Sequence, residues 1–207
     1  RINRHLNQRS EMLSGISHDL RTPLTRLKLQ LAMIDQIDLS KNMSKDIDEM
    51  EKMLNDYLHF AKTQAQEPTV EIDLSKLFKE IAKNFNALKV LDNEKIILKA
   101  RPGSLKRSFE NVIQNGFIYG KIVHVKLQRS SNRAHVIIED NGPGIPEDQY
   151  KNVFKPFFRL DKSRSLNKSG VGLGLAIVED IINSHGGNIQ LSRSQLGGLR
   201  VKISLPF

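Results

Sequence analysis

The chain has 207 residues, no cysteine and a formal net charge of +9. Hydrophobic residues make up 39% of it and charged residues 27%, which is typical of a folded globular protein and excludes a disordered one. Without cysteine, disulfides and thiolate metal sites are excluded. The 32 basic residues are scattered and are not interleaved with aromatic residues, so we expect no nucleic-acid partner.

The first third of the chain has a helical pattern. Apolar side chains from Leu6 to Ile34 recur at spacings of three, four and seven residues, and those from Met43 to Ala61 at three and four. These spacings predict two helices, each with an apolar stripe directed at other helices. A single hairpin cannot cover both stripes, so residues 1–66 predict a helical hairpin that forms a four-helix bundle as a homodimer.

One short stretch of the first predicted helix indicates chemistry. In SHDLRTPLTR, residues 17–26, His18 is followed by Asp19, and Thr22 lies one turn further along the same helix face. Pro23 then removes a backbone hydrogen bond, which bends or loosens a helix. An imidazole is mostly neutral and nucleophilic near pH 7, so His18 is a candidate nucleophile. We interpret the other five histidines as ordinary surface residues.

Beyond Pro68 the periodicity changes. A helix is predicted over residues 73–85 with Asp73 as its N-cap, a second from Pro102 to Tyr119, and a third over 174–187, ended by glycines. Runs rich in β-branched residues predict strands at 95–100, 121–129, 134–140, 188–193 and 199–205. Three helices and one sheet predict an α/β sandwich over residues 67–207.

Three motifs of this second half suit a nucleotide in complementary ways. In NVIQN, Asn111 and Asn115 share a helix face, and amide oxygens are hard ligands that suit Mg²⁺. In DNGPGIP, Asp140 ends a strand and can accept a hydrogen bond from a base amine, while Gly142 and Gly144 let the backbone approach a ligand.

The third motif, GVGLGL, places Gly170, Gly172 and Gly174 at the start of a helix, where free N–H groups and the helix dipole favour phosphate. The long polar loop that precedes it is of the kind that closes over a ligand. Each motif alone is weak, but all three in this order predict a nucleotide site.

The ordered set resembles the N, G1, F and G2 boxes of the ATPase domain shared by sensor histidine kinases, gyrase, Hsp90 and MutL. SHDLRTPLTR resembles the H-box of the sensor histidine kinases, most closely their osmosensing members. The resemblance implies an α+β fold, in which an antiparallel helical hairpin precedes an α/β sandwich of the histidine kinase, Hsp90 and gyrase ATPase type. It implies that residues 1–66 dimerise and carry out histidine phosphotransfer, and that residues 67–207 are the catalytic ATP-binding domain.

The same resemblance implies ATP and Mg²⁺ as cofactors, autophosphorylation of His18, and transfer of the phosphoryl group to the receiver domain of an OmpR-like response regulator. Asp19 then hydrogen-bonds the imidazole, and Thr22 serves a phosphatase activity towards the regulator. The metal ligand implied is Asn115, and the implied nucleotide-binding residues are Asn111, Asn115, Tyr119, Asp140, Gly142, Gly144, Arg159, Gly170, Gly172, Leu173 and Gly174.

One position departs from the family pattern. Ile118 stands where the family usually has a lysine or arginine near the phosphates, and Lys121, Lys162 or Arg164 is a candidate replacement. A nucleotide-binding pseudokinase and dimer scaffold is therefore an alternative, and a gyrase- or Hsp90-like ATPase is a third. The chain begins within a helical pattern and without methionine, so we expect the cytoplasmic portion of an inner-membrane protein, with membrane contact only through segments preceding residue 1.

Overall fold

The chain divides into two compact units, Arg1–Glu67 and Pro68–Phe207. The computed structural model describes residues 24–31, 43–44, 47–48, 50, 67–156, 158–160 and 172–207. Within these ranges, no helix combines the length and apolar character that a membrane span requires.

In the first unit, both predicted helices are helical wherever the structure describes them. Leu24 and Leu31 of the first helical stretch form a buried cluster with Ile47 of the second. Beside this cluster, Lys28 Nζ lies 2.7 Å from Asp48 Oδ1. The described part of the unit therefore packs as the predicted hairpin.

The second unit is an α/β sandwich, as predicted. Its five-stranded sheet has the order β2-β4-β5-β7-β6, in which β2 and β4 are parallel and the remaining pairs are antiparallel. Strands β1 and β3 form a separate antiparallel pair. The elements are β1 (Val70–Asp73), α1 (Leu74–Ala82), β2 (Leu88–Asn93), β3 (Ile97–Ala100), α2 (Pro102–Tyr119), β4 (Val123–Arg129), β5 (Arg133–Asp140), a 3₁₀ turn (Glu147–Gln149), α3 (Gly174–Ser184), β6 (Asn188–Arg193) and β7 (Leu199–Pro206).

Local signals fix the start of two helices. Asp73 Oδ1 accepts hydrogen bonds from the N–H groups of Ser75 at 2.9 Å and Lys76 at 3.4 Å, so Asp73 is the N-cap of α1. The Ser75 hydroxyl also donates to this oxygen, and it lowers the pKa of the Asp73 carboxyl. Pro102 is the first residue of α2, where a missing N–H costs nothing.

Helix α3 ends in a Schellman motif. Gly186 has φ 67° and its N–H donates to the Asn183 carbonyl at 3.0 Å, while the N–H of Gly187 donates to the Ile182 carbonyl at 2.9 Å. The left-handed φ explains why glycine stands at 186. The predicted glycine stop is confirmed.

The core lies between the helices and one face of the five-stranded sheet. Side chains alternate along β4, where Val123, Val125 and Leu127 are buried and the residues between them are partly exposed. Phe78 of α1 and Phe109 of α2 are both fully buried, with ring centroids 4.8 Å apart. On β4, the alternation therefore leaves polar side chains on the second sheet face.

Two strands were not predicted, and some boundaries differ. Strands β1 and β2 have the sequences VEID and LKVLDN, in which charged residues and a terminal Asp-Asn obscure the pattern. The predicted strands at 95–100 and 121–129 begin two residues later, at Ile97 and Val123. The helix predicted over 73–85 ends at Ala82, where the chain enters successive turns.

Candidate nucleotide-binding site

The C-terminal half of α2 packs directly on the end of the central strand. At Gly116, a Cβ atom would lie 2.8 Å from Val123 Cγ2 and 3.4 Å from Asp140 Cβ, so there is no room for a side chain. This close approach brings Asn115, the preceding residue, to the end of β5 that carries Asp140. The first two predicted motifs therefore meet at one edge of the sheet.

Asp140 is held by one of its two carboxylate oxygens. Oδ1 accepts hydrogen bonds from the N–H groups of Gly142 at 2.8 Å and Leu199 at 3.1 Å. Burial raises the pKa of the Asp140 carboxyl, and these two hydrogen bonds act in the opposite direction. Because Oδ1 is engaged by the backbone, the other carboxylate oxygen, Oδ2, is the candidate acceptor for a ligand.

The turn between β6 and β7 contributes to this arrangement. The N–H of Gly198 donates to the Asp140 carbonyl at 3.2 Å, and a Cβ at Gly198 would overlap Asp140 Oδ1. Neither Gly198 nor Leu199 is among the site residues predicted from the sequence. The one available signal was the Gly197-Gly198 pair in front of the last strand.

The glycines after Asp140 accommodate the protein's own backbone. A Cβ at Gly142 would lie 3.0 Å from both Asp140 Oδ1 and the Tyr119 carbonyl oxygen. Gly144 has φ 75°, and its nearest neighbours belong to Gly198. These two residues therefore keep the loop close to α2 and to the β6–β7 turn.

The start of α3 lies against the same end of α2. The helix begins at Gly174 with Leu173 as its N-cap, and no side chain caps it within the described part of the chain. A Cβ at Gly174 would lie 3.6 Å from Asn115 Nδ2 and 4.0 Å from Asn115 Oδ1. The amide of Asn115 therefore adjoins a helix N-terminus whose first N–H groups favour anions. Gly172, with φ 79°, precedes this helix start.

The structure places the remaining predicted residues as follows. Asn111 is half-buried on α2, one turn before Asn115, and Tyr119 ends α2 with 56% of its side chain exposed. Arg159 is half-buried. His18, Asp19, Thr22 and Gly170 lie outside the described residues, as do Pro23, Lys162 and Arg164.

The donor groups present are compatible with magnesium. The described residues contain no group of three or more histidine, aspartate or glutamate side chains able to hold a metal ion among themselves. A neutral amide oxygen beside a helix N-terminus that favours anions suits Mg²⁺, which usually shares its ligands between protein, phosphate and water. Asn115 is in this position.

Two sequence families match the chain. Residues 8–66 match the His Kinase A (phospho-acceptor) domain, and residues 100–207 match the Histidine kinase-, DNA gyrase B-, and HSP90-like ATPase family. The chain belongs to the sensor histidine kinases. Its fold class and its family, both predicted from the motifs, are therefore confirmed, and the sandwich belongs to a family of ATP-using domains.

Named relatives agree with this assignment. The sensor histidine kinase GtrS of Pseudomonas aeruginosa is 35% identical over 210 residues, which cover all of this chain and 44% of GtrS. Sensor protein RstB of Escherichia coli is 32% identical over 221 residues, covering all of this chain and 51% of RstB. The sensor kinase chain thus spans about half the length of these relatives.

A solved structure bears on the predicted resemblance to the osmosensing kinases. The histidine kinase domain of the Escherichia coli osmosensor EnvZ is 35% identical, with a TM-score of 0.53. The match covers 68% of this sensor kinase chain and 90% of the EnvZ domain. The predicted similarity to EnvZ is therefore confirmed.

Proposed function

We propose that this chain is the catalytic core of a sensor histidine kinase that transfers the γ-phosphoryl group of ATP to His18. Residues 1–66 form the dimerisation and phosphotransfer domain, and residues 67–207 the catalytic ATP-binding domain. The observation that carries the proposal is the meeting of Asn115, Asp140 and the start of α3, since the Gly116 backbone lies against Asp140 and the Asn115 amide lies against Gly174.

The base of ATP is assigned to Asp140. Its Oδ1 is engaged by the N–H groups of Gly142 and Leu199, so Oδ2 accepts a hydrogen bond from the exocyclic amine of adenine. Guanine has a carbonyl oxygen at that ring position and cannot donate there. A fixed acceptor therefore discriminates between the two bases, because a mismatched base leaves buried polar groups unpaired.

The phosphates are assigned to the opposite end of the site. The N–H groups of the first turn of α3 bind phosphate oxygens, and the Asn115 amide oxygen is a ligand of Mg²⁺. When bound, Mg²⁺ neutralises phosphate charge. Asn111, Tyr119, Arg159 and the glycines 142, 144, 170, 172 and 174, together with Leu173, complete the proposed nucleotide site.

In the proposed transfer, one ring nitrogen of His18 attacks the γ-phosphorus in line with the leaving oxygen. A nitrogen–phosphorus bond forms, the bond to the β,γ-bridging oxygen breaks, and ADP leaves with that electron pair. Asp19 accepts a hydrogen bond from the other ring nitrogen and so raises the nucleophilicity of the first. The phosphoryl group then passes to an aspartate of a response regulator, for which we propose an OmpR-like receiver domain.

We further propose a phosphatase activity towards that regulator. Thr22 lies one helical turn from His18 in the sequence, so its hydroxyl orients a water against the regulator's acyl phosphate. The water oxygen bonds to phosphorus, the aspartate oxygen leaves, and inorganic phosphate is released. Pro23 lacks a backbone N–H and so favours a bent or loosened helix, and we propose that this lets His18 move between a kinase and a phosphatase arrangement.

Exposed apolar residues of the hairpin support homodimerisation. Leu27 and Met50 lie on the predicted stripes, yet 45% and 50% of their side chains are exposed in the single chain. A second hairpin covers them in the proposed four-helix bundle. By its family we place this core on the cytoplasmic side of an inner-membrane sensor protein.

One observation favours a second candidate function. Ile118 lies in the last turn of α2 with 36% of its side chain exposed, and it supplies no charge where relatives are expected to carry a cation. A pseudokinase that holds nucleotide and acts mainly as a dimer scaffold or phosphatase accounts for that residue.

Incubation of the dimer with γ-labelled ATP and Mg²⁺ tests these functions against each other. Kinase activity gives a protein label that is stable to base and labile to acid; His18→Gln abolishes it and His59→Gln, a matched change on the second predicted helix, retains it. Nucleotide binding without label identifies the pseudokinase, and ATP turnover without label identifies an ATPase. Addition of candidate regulators to labelled protein then identifies the acceptor.

A further inference from the structure

Asn141, the residue after Asp140, forms three hydrogen bonds with the link between α2 and β4. Its side-chain Oδ1 accepts from the N–H groups of Lys121 and Ile122, each at 2.8 Å. Its own N–H donates to the Ile122 carbonyl at 3.3 Å. The link is therefore attached to the loop that follows β5 by both the side chain and the backbone of one residue.

The link is tightly packed at this point. Gly120 donates its N–H to the Gly116 carbonyl at 2.7 Å and so closes the last turn of α2. A Cβ at Gly120 would lie 2.9 Å from both Asn141 Oδ1 and the Gly142 nitrogen. The end of α2 consequently has little freedom to slide along the loop while the Asn141 bonds are intact.

The two parts joined in this way carry opposite ends of the proposed nucleotide site. Helix α2 carries Asn115 at the phosphate end, whereas Asp140 lies at the base end. Gly142 and Leu199 orient the Asp140 carboxylate without help from Asn141. Removal of the Asn141 side chain therefore removes two of the three hydrogen bonds on the link after α2 and loosens the end of that helix, while the Asp140 carboxylate stays held.

We propose that Asn141 is a positioning residue that fixes Asn115 relative to Asp140, so that one nucleotide engages both ends of the site at once. The inference rests on the proposed nucleotide-binding function. It predicts that removal of the Asn141 side chain weakens binding of the phosphates and Mg²⁺ more than binding of the base. Removal of a residue that only stabilised the fold would weaken both kinds of binding to the same extent.

The test compares two ligands in the intact chain by calorimetry: adenosine, and a non-hydrolysable ATP analogue with and without Mg²⁺. In Asn141→Ala we expect adenosine affinity to change less than twofold, while the gain in analogue affinity on adding Mg²⁺ falls at least tenfold. Asn141→Asp keeps an oxygen that accepts both N–H groups, and it restores the gain at high salt, where its added charge is screened. Asn132→Ala, on the exposed β4–β5 turn, is the matched control.

Hydrogen exchange gives a readout that is independent of nucleotide. The Lys121 and Ile122 amides should exchange faster in Asn141→Ala than in the parent chain, with the amides of β5 unchanged. Should Asn141→Ala fail to fold, Asn141→Ser, whose shorter side chain cannot reach both N–H groups, replaces it. The inference is overturned if the gain in analogue affinity on adding Mg²⁺ stays within twofold of the parent value, or if adenosine and the analogue lose affinity in parallel. A parent chain that binds neither ligand overturns the proposed function instead.

Discussion

The N–H of Leu199, the first residue of β7, donates to Oδ1 of Asp140, the last residue of β5, at 3.1 Å. These strands are neighbours in the sheet although 59 residues separate the two bonded groups. The contact orients the carboxylate through the backbone, so the side chain at position 199 is not needed for it. The orientation of the Asp140 carboxylate therefore depends on the pairing of β5 with β7.

Substitution of the Asp140 carboxylate distinguishes its role in nucleotide binding from its role in the fold. Asp140→Asn keeps an oxygen for the Gly142 and Leu199 N–H groups but replaces the outward acceptor with an amide donor. Hydrogen bonds that involve a charged group contribute about 1.5–3 kcal/mol, so we expect the calorimetric Kd for ATP to rise at least ~10-fold. The preference for ATP over GTP should shrink in parallel. An ATP Kd equal to that of the parent chain would remove Asp140 from the site.

The same variant should gain stability relative to the parent as pH rises. Burial raises the pKa of Asp140 in the folded state, so its contribution to stability is complete below the ordinary aspartate pKa and is lost as pH rises through the folded value. Asparagine mimics the neutral form at every pH. Urea unfolding from about pH 4 to pH 7 should therefore show the free energy of unfolding of Asp140→Asn rising relative to the parent. A relative fall over this range would contradict the burial argument.

The β6–β7 turn offers a matched pair of glycines. Gly198→Ala places a methyl group against Asp140 and the Gly142 nitrogen, whereas Gly197→Ala meets nothing within 4 Å and is strained only by φ 101°. We expect about 2–4 kcal/mol of destabilisation at 198, and about 1–2 kcal/mol at 197, in urea denaturation. Equal losses would mean that the turn relaxes around the added methyl group.

Asn115 should supply a direct protein ligand of the metal. In Asn115→Ala we expect the increase in ATP affinity on adding Mg²⁺ to fall at least ~10-fold, because an amide oxygen ligand is lost. Gln114→Ala, an exposed neighbour on the same helix, is the control and should behave as the parent does. Titrations in excess EDTA should give similar affinities for all three proteins. A full Mg²⁺ response in Asn115→Ala would assign the metal to other residues.

Two exposed leucines of the first helical stretch test the proposed dimer. Leu27 lies on the predicted apolar stripe and Leu29 does not, although both are exposed in the single chain. Burial of a leucine contributes about 1.5–3 kcal/mol, so Leu27→Glu should weaken dimerisation at least ~10-fold. Leu29→Glu should leave the dimer intact in sedimentation velocity. Equal effects would place the interface on another face of the hairpin.

Features that depend on neighbouring residues were predictable from the sequence. The Asp73 N-cap, the start of α2 at Pro102 and the glycine stop of α3 all follow from local backbone requirements. The three nucleotide motifs were also recognisable, because close packing and helix ends demand glycine and short polar residues.

Features that depend on tertiary pairing were not predictable. Strand β2 is an edge strand of irregular composition, recognisable only by its parallel pairing with β4. Leu199 acts through a backbone N–H, which leaves no signal in the residue type. An asparagine at position 141 is typical of a turn. Its bonds to Lys121 and Ile122 form only because the fold places α2 and β5 side by side.

Strand order has a consequence for biosynthesis. β7 lies between β5 and β6 and is the last of the described strands to leave the ribosome. Until residues 199–206 emerge, β6 has no hydrogen-bonding neighbour and β5 lacks one of its two. The nascent sheet is therefore open, with unpaired edges of the kind that aggregate. Nucleotide capture by the proposed site must then wait until translation of this region is essentially complete.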